Sequence, residues 1–240
     1  MKGRDRPDEQ ADTAIVPAPD LAVAALALAR RFAAGATLWA CAPRWPEHAR
    51  HVAVEFVHPV VMGARALPAV AVTDPEPVGT LRAAVRPGDA ILLVGRHDDA
   101  IVAEVLARAA AWGATSIWVG CGPRPASPPS DHVLWDALDD VDAPHDGTIV
   151  RLYHLLWELT HVCFEHPGLL RDDECTDEVC TTCIDEGRPG EVVGVDGSDA
   201  LVRTARGVEW VDVSLVEPVE RDDLVLVHAG TAIARIGGGP

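Results

Sequence analysis

The hydrophobic pattern of this chain changes period near Pro167, and that change constrains the fold more than any other feature of its 240 residues. Before it, short apolar runs without alternation stand at Thr37 to Cys41, Ala69 to Val72, Ala90 to Val94, Ser116 to Val119 and His132 to Asp136. Runs of this kind suit strands covered on both faces. Between them, apolar residues recur at helical spacing. Leu21, Ala25, Leu28, Ala29 and Phe32 share one face of a helix with Asp20 as its N-cap and Gly35 as its stop, and further helices are expected over His48 to Met62, Ala100 to Trp112 and Gly147 to Glu165. Strand followed by helix, repeated, predicts a parallel sheet with right-handed crossovers.

Beyond Pro167 the helical period is gone. Arg171 to Glu186 holds seven acidic residues and three cysteines and no apolar periodicity, and reads as a linker or exposed loop. Short strands follow at Glu191 to Val195, Ala200 to Thr204, Val208 to Val213, Leu224 to His228 and Ala232 to Ile236, with turn chemistry at Asp196-Gly-Ser-Asp199 and Arg206-Gly207. Such closely spaced strands predict a small OB-like barrel, which closes its sheet instead of leaving edges open. The expected organisation is a disordered tail over 1–18, a three-layer α/β domain over 19–168, an acidic cysteine-bearing linker over 169–182 and an all-β barrel over 183–240.

The formal net charge of -17 argues against nucleic acid as a partner, because affinity for phosphate backbones rests on Lys and Arg. The uncharged run Leu21 to Ala29 is too short to span a bilayer, and the polar N-terminus lacks a signal-peptide core, so a cytoplasmic location is expected. Three of the six cysteines, Cys41, Cys121 and Cys163, lie in apolar settings and read as buried thiols. The others, Cys175, Cys180 and Cys183, cluster in polar sequence, which in a reducing compartment points to metal or redox chemistry. Their spacing opens a plant-type 2Fe-2S motif but lacks its fourth cysteine. Structural zinc would need a fourth ligand from Cys163, His161 or His166. A reversible Cys180–Cys183 disulfide is a further alternative.

The C-terminal motifs Pro189-Gly-Glu-Val-Val193 and Leu224-Val-Leu-Val-His228-Ala-Gly230-Thr-Ala-Ile233 resemble the HypC family of nickel–iron hydrogenase maturation chaperones. That resemblance implies a non-enzymatic carrier of the iron centre that bears cyanide and carbon monoxide. Cys183 takes the thiolate role, His228 the imidazole role, and Cys180 competes with or assists Cys183. Cys183 is internal and lies six positions before Pro189, a departure from the family's N-terminal cysteine. The implied partners are a HypD-type scaffold and the hydrogenase large-subunit precursor.

The first half is similar in order and pattern to the sugar isomerase (SIS) domain, in its phosphoheptose isomerase branch. Gly35 to Cys41, His51 to Phe56, Leu67 to Val72, Arg86 to Val94 and Leu152 to Leu159 carry the likeness. Glu55 falls where that family has a catalytic acid. The Gly- and Ser-rich phosphate loops are replaced by Ala42-Pro-Arg-Trp-Pro46 and Gly95-Arg-His-Asp-Asp99, which removes free backbone amides. A retained fold without isomerase chemistry is therefore expected, serving as a dimerisation element or a wider docking surface. The alternative is a phosphosugar-binding or isomerase-type protein, with Arg44, Arg96 and His97 holding an anion.

Overall fold

The structure is a computed structural model that describes residues 18–59, 63–136, 147–170 and 187–236. Of the expected tail only residue 18 and of the expected linker only residues 169–170 are described, and Cys175, Cys180 and Cys183 lie outside the described residues.

The α/β half runs α1 (Ala18–Ala33), β1 (Leu38–Cys41), α2 (Pro46–Val57), β2 (Ala69–Val72), α3 (Pro77–Ala84), β3 (Ala90–Arg96), α4 (Ala100–Ala109), β4 (Thr115–Cys121), β5 (His132–Asp136) and α5 (Thr148–Glu165), closed by a 3-10 turn at Pro167–Leu170. All five strands are parallel, in the order β2-β1-β3-β4-β5. The apolar runs without alternation behave as expected: β4 is buried at every position and β3 at all but Arg96. On one face α1, α2 and α5 place Leu28, Phe56, Tyr153 and Leu156 over Leu38, Leu92 and Ile117. On the other, α3 and α4 contribute Leu81, Val105 and Leu106 against Ile91, Leu93 and Trp118. The result is the expected three-layer architecture.

Two local expectations are corrected. Helix α1 begins at Ala18, so Asp20 lies in its first turn rather than at its cap, where its carboxylate still complements the positive end of the helix dipole. Helix α3 has no counterpart in the sequence reading, because it is eight residues long and buries only Pro77 and Leu81, too few apolar positions to reveal a period.

The second half is a closed barrel of β6 (Arg188–Asp196), β7 (Asp199–Thr204), β8 (Gly207–Asp212), β9 (Leu224–His228) and β10 (Thr231–Ile236), ordered β10-β8-β7-β6-β9. Its core is built almost wholly of Val and Ala: Val192, Ala200, Val202, Val211, Val213, Val225, Val227 and Ala232. That narrow interior explains the glycine of the Pro-Gly-Glu-Val-Val motif. A Cβ on Gly190 would stand 2.4 Å from Val202 Cγ1, so only glycine lets β6 approach β7 this closely.

The two halves are joined by a buried carboxylate. Glu191, the variable residue of the same motif, is fully buried and accepts hydrogen bonds from Arg82 Nε at 2.9 Å, Arg108 Nη1 at 2.7 Å and Trp112 Nε1 at 2.7 Å. In return Arg203 of β7 donates to the carbonyls of Arg82 and Val85 and lies over the Trp112 ring. Burial holds the Arg203 guanidinium below its ordinary pKa, with the Glu191 charge opposing that shift. Backbone contact is close as well: a Cβ on Gly113 would meet Pro87 and Ala205 Cα at 3.0 and 3.1 Å, and its φ of 72° already favours glycine.

Candidate functional site

In the barrel, His228 is the last residue of β9 and pairs with Thr231 across a two-residue turn. Both turn residues are left-handed, Ala229 at φ 48° and Gly230 at φ 83°. That is the geometry of a tight hairpin turn, and it gives the glycine of Val-His-Ala-Gly-Thr a backbone role. His228 itself is half-buried. The chain enters the barrel beside it, since Arg188, the first residue of β6, pairs with Val227. Arg188 is held there by Glu209, 2.7 Å from its Nη2. The other predicted ligands, Cys180 and Cys183, lie outside the described residues, so the structure gives no geometry for a thiolate–imidazole pair.

At the carboxyl edge of the parallel sheet, the loops that replace the phosphate cradle are occupied by the chain's own carboxylates. Asp99 caps α4, accepting from the amides of Ile101 at 3.0 Å and Val102 at 3.3 Å. A helix N-terminus is where an anion would otherwise bind. Asp98 takes Arg96 Nε at 2.9 Å and stands 3.9 Å from Arg44. The hydrogen bond from Arg96 holds the Asp98 carboxyl below the usual carboxylate range. Two of the cationic groups expected to receive an anion thus already face an internal one.

A second cluster lies between α2 and α5. Glu55 Oε1 is 3.2 Å from His51 Nε2 and 3.4 Å from His154 Nε2. One ligand atom from each of the three residues lies within 4.8 Å of the others, so the carboxylate and the two imidazoles converge on one point between the helices. Hydrogen bonds outside the cluster orient the rings. His154 Nδ1 lies 2.7 Å from the Val150 carbonyl, which can only accept, so the proton sits on Nδ1. The Nε2 of a neutral His154 then turns a lone pair toward the Glu55 carboxylate, an arrangement completed either by a second proton or by a cation. His51 Nδ1 bonds the Tyr153 hydroxyl at 2.9 Å, and that hydroxyl also meets His48 Nδ1 at 3.2 Å. Burial, reinforced by the Glu55 charge, pushes the Tyr153 hydroxyl up to about 12.

Sequence reasoning singled out Glu55 as an acid but did not join it to His51 and His154. The available signal was the His51-x3-Glu55 spacing, which puts both side chains on one face of α2. The partner from α5 is supplied only by packing. Cys41, Cys121 and Cys163 are buried free thiols, as expected.

Comparison with known proteins separates the two halves. Residues 178–238 match the HupF/HypC family. The matched stretch includes Cys180, Cys183 and His228 and begins after Cys175. The α/β half is similar to a phosphoheptose isomerase from Francisella tularensis, with 16% identity, 62% of this chain and 88% of that chain covered, and a TM-score of 0.54. A phosphoheptose isomerase from Neisseria gonorrhoeae is 18% identical over 62% of this chain and 86% of its own, with a TM-score of 0.47. The sugar isomerase domain of an RpiR transcription factor from Sphaerobacter thermophilus is 17% identical over 65% and 83%, with a TM-score of 0.46. At the identity of the Francisella enzyme the likeness establishes the SIS fold and nothing of its chemistry. No curated protein matches the chain. Among the described residues no helix is long and apolar enough to cross a membrane.

Proposed function

We propose that the chain is a non-enzymatic hydrogenase maturation chaperone whose HypC-like barrel carries the iron centre to the large-subunit precursor, fused to an SIS-type domain that catalyses nothing. The observation that carries this reading is the match of residues 178–238 to the HupF/HypC family, together with the place of His228 beside the strand through which the chain enters the barrel. Extended chain spans at most about 3.5 Å per residue, so the five steps from Cys183 to Arg188 keep that thiol within roughly 17 Å of the barrel mouth. A soft thiolate and one imidazole suit low-spin iron, and so small a ligand set suits a cargo that must be released. Cys180 is the second thiol, and the scaffold on which the iron is assembled is of HypD type.

Cys183→Ser is expected to abolish maturation of the partner hydrogenase while leaving the melting curve unchanged, and His228→Ala to lower the labile iron and its cyanide and carbon monoxide infrared bands in protein purified anaerobically with the scaffold. Hydrogenase activity that survives both Cys183→Ser and Cys180→Ser ends the carrier reading. One equivalent of zinc that resists dialysis, with no ligand bands, would replace it with a structural-metal reading.

A second reading is favoured by the convergence of His51, Glu55 and His154: an isomerase-type domain that uses a divalent cation. It predicts saturable cobalt binding, followed by the visible spectrum, that is lost in Glu55→Gln. Cobalt spectra identical in parent and Glu55→Gln protein would remove it.

A further inference from the structure

Strand β8 is paired with β7 along its whole length but meets β10 only at Thr231 and Asp212. At that point the Asp212 amide donates to Gly230 O at 3.0 Å, so it faces the β10 side. Backbone groups alternate along a strand, which turns the N–H and C=O of Trp210 and Val208 to the same side, into the gap that β8 leaves before β10 begins. Strand β10 begins at this point and runs parallel to β8, so Ala232 to Ile236 continue past Asp212, paired with Leu224 to Val227 of β9, and do not lie beside Trp210 and Val208. Among the described residues neither the Trp210 nor the Val208 amide has a backbone partner in that gap.

The side chains of these two residues stand on the outer face, with Trp210 60% and Val208 57% exposed. Proteins guard an open edge with charge, proline or a bulge, and a bare tryptophan and valine do the opposite. At the Asp212 end of the edge, Asp199 pairs across the sheet with both Asp196 and Asp212. All three are exposed, and no cation among the described residues pairs with any of them. Like charges directly opposite one another are destabilising, and a basic group placed against them relieves that repulsion.

We propose that the open edge of β8 at Val208 and Trp210 docks an extended segment of a partner protein, one that carries Lys or Arg at the end lying against Asp196, Asp199 and Asp212. Each property selects part of the partner. Unpaired amides select extended backbone, which can add as a strand. Trp210 selects an apolar neighbour or a stacked guanidinium, and the carboxylate row fixes the polarity of the segment. This face is continuous with the one fixed to the α/β half, because Val208 pairs with Arg203.

The test uses the full chain and a short synthetic peptide of alternating Val and Thr with two Lys at one end, followed by fluorescence anisotropy. Saturable binding is expected, weakened at least about tenfold when alternate peptide amides are N-methylated or when Glu replaces the Lys pair. Val208→Pro deletes only an N–H that faces the gap, so the ladder to β7 survives while peptide binding falls about tenfold. Val208→Ala keeps the amide and is expected to bind within about twofold of the parent. Equal binding of the N-methylated and parent peptides, or no binding of the Lys peptide to the parent chain, overturns the proposal whether or not the proline variant folds.

Discussion

The carboxylate of Glu191 links the two halves through three buried or part-buried hydrogen bonds, and its removal has a calculable consequence. In Glu191→Ala, Arg82, Arg108 and the Trp112 indole N–H all lose their acceptor at a position with no access to water. Breaking a buried pair by deleting one partner costs about 3–5 kcal/mol. The arginines have secondary partners: Arg82 lies 3.2 Å from Asp222 Oδ1, and Arg108 lies 3.2 Å from Glu104 and donates to Asp222 O at 2.9 Å. Among the described residues Trp112 Nε1 has none. The expected cost is therefore at the low end, about 3 kcal/mol, which in a chain of this size corresponds to a fall in Tm of about 6–12 °C. Near-ultraviolet circular dichroism is the assay, because the Trp112 environment reports the interface directly. The pairwise part comes from a double-mutant cycle with Arg108→Ala, where a coupling of at least about 1 kcal/mol is expected. A Glu191→Ala protein that melts within about 1 °C of the parent, or a coupling near zero, would refute the inference that this carboxylate holds the barrel to the α/β half.

Two further outcomes follow from the α/β half. Calorimetry with heptose, hexose and pentose phosphates is expected to give no saturable heat, because Asp99 fills the α4 amides and Asp98 faces Arg96 and Arg44; clear saturation by any of them would contradict the closed cradle. Burial, with the Asp74 and Asp99 charges adding to it, pushes the Cys41 thiol from an ordinary 9.0 up to about 12. Its folded pKa is the higher one, so its contribution to stability is complete below 9.0 and is lost as pH rises toward 12, and the Tyr153 shift acts in the same direction above 10.0. The urea midpoint is expected to fall steadily between about pH 8.5 and pH 11, less steeply in Cys41→Ala, and an unchanged slope in that variant would count against the assignment.

What the sequence revealed and what it concealed divide along one physical line. Period, turn chemistry and apolar runs are local, and they placed β1 to β5, α1, α2, α4, α5 and the five barrel strands within a few residues. Contacts between elements left no local trace. Glu191 read only as the variable residue of a family motif, because the arginines that satisfy it come from α3 and α4, and α3 was itself too short to betray a period. Glu55 was not joined to its imidazole partners for the same reason, since they arrive from one turn earlier on α2 and from α5, about a hundred residues away. The replaced phosphate loops show the intermediate case. Their sequence said that amides were missing, and packing added that Asp98 and Asp99 stand where an anion would. A carboxylate spaced one residue from its own arginine is a local signal, and Arg96-His-Asp98 carried it. Among the residues proposed to act, His228 was therefore legible through a contiguous motif, whereas the glutamate that fixes the barrel carrying it became visible only once two distant helices were packed against β6.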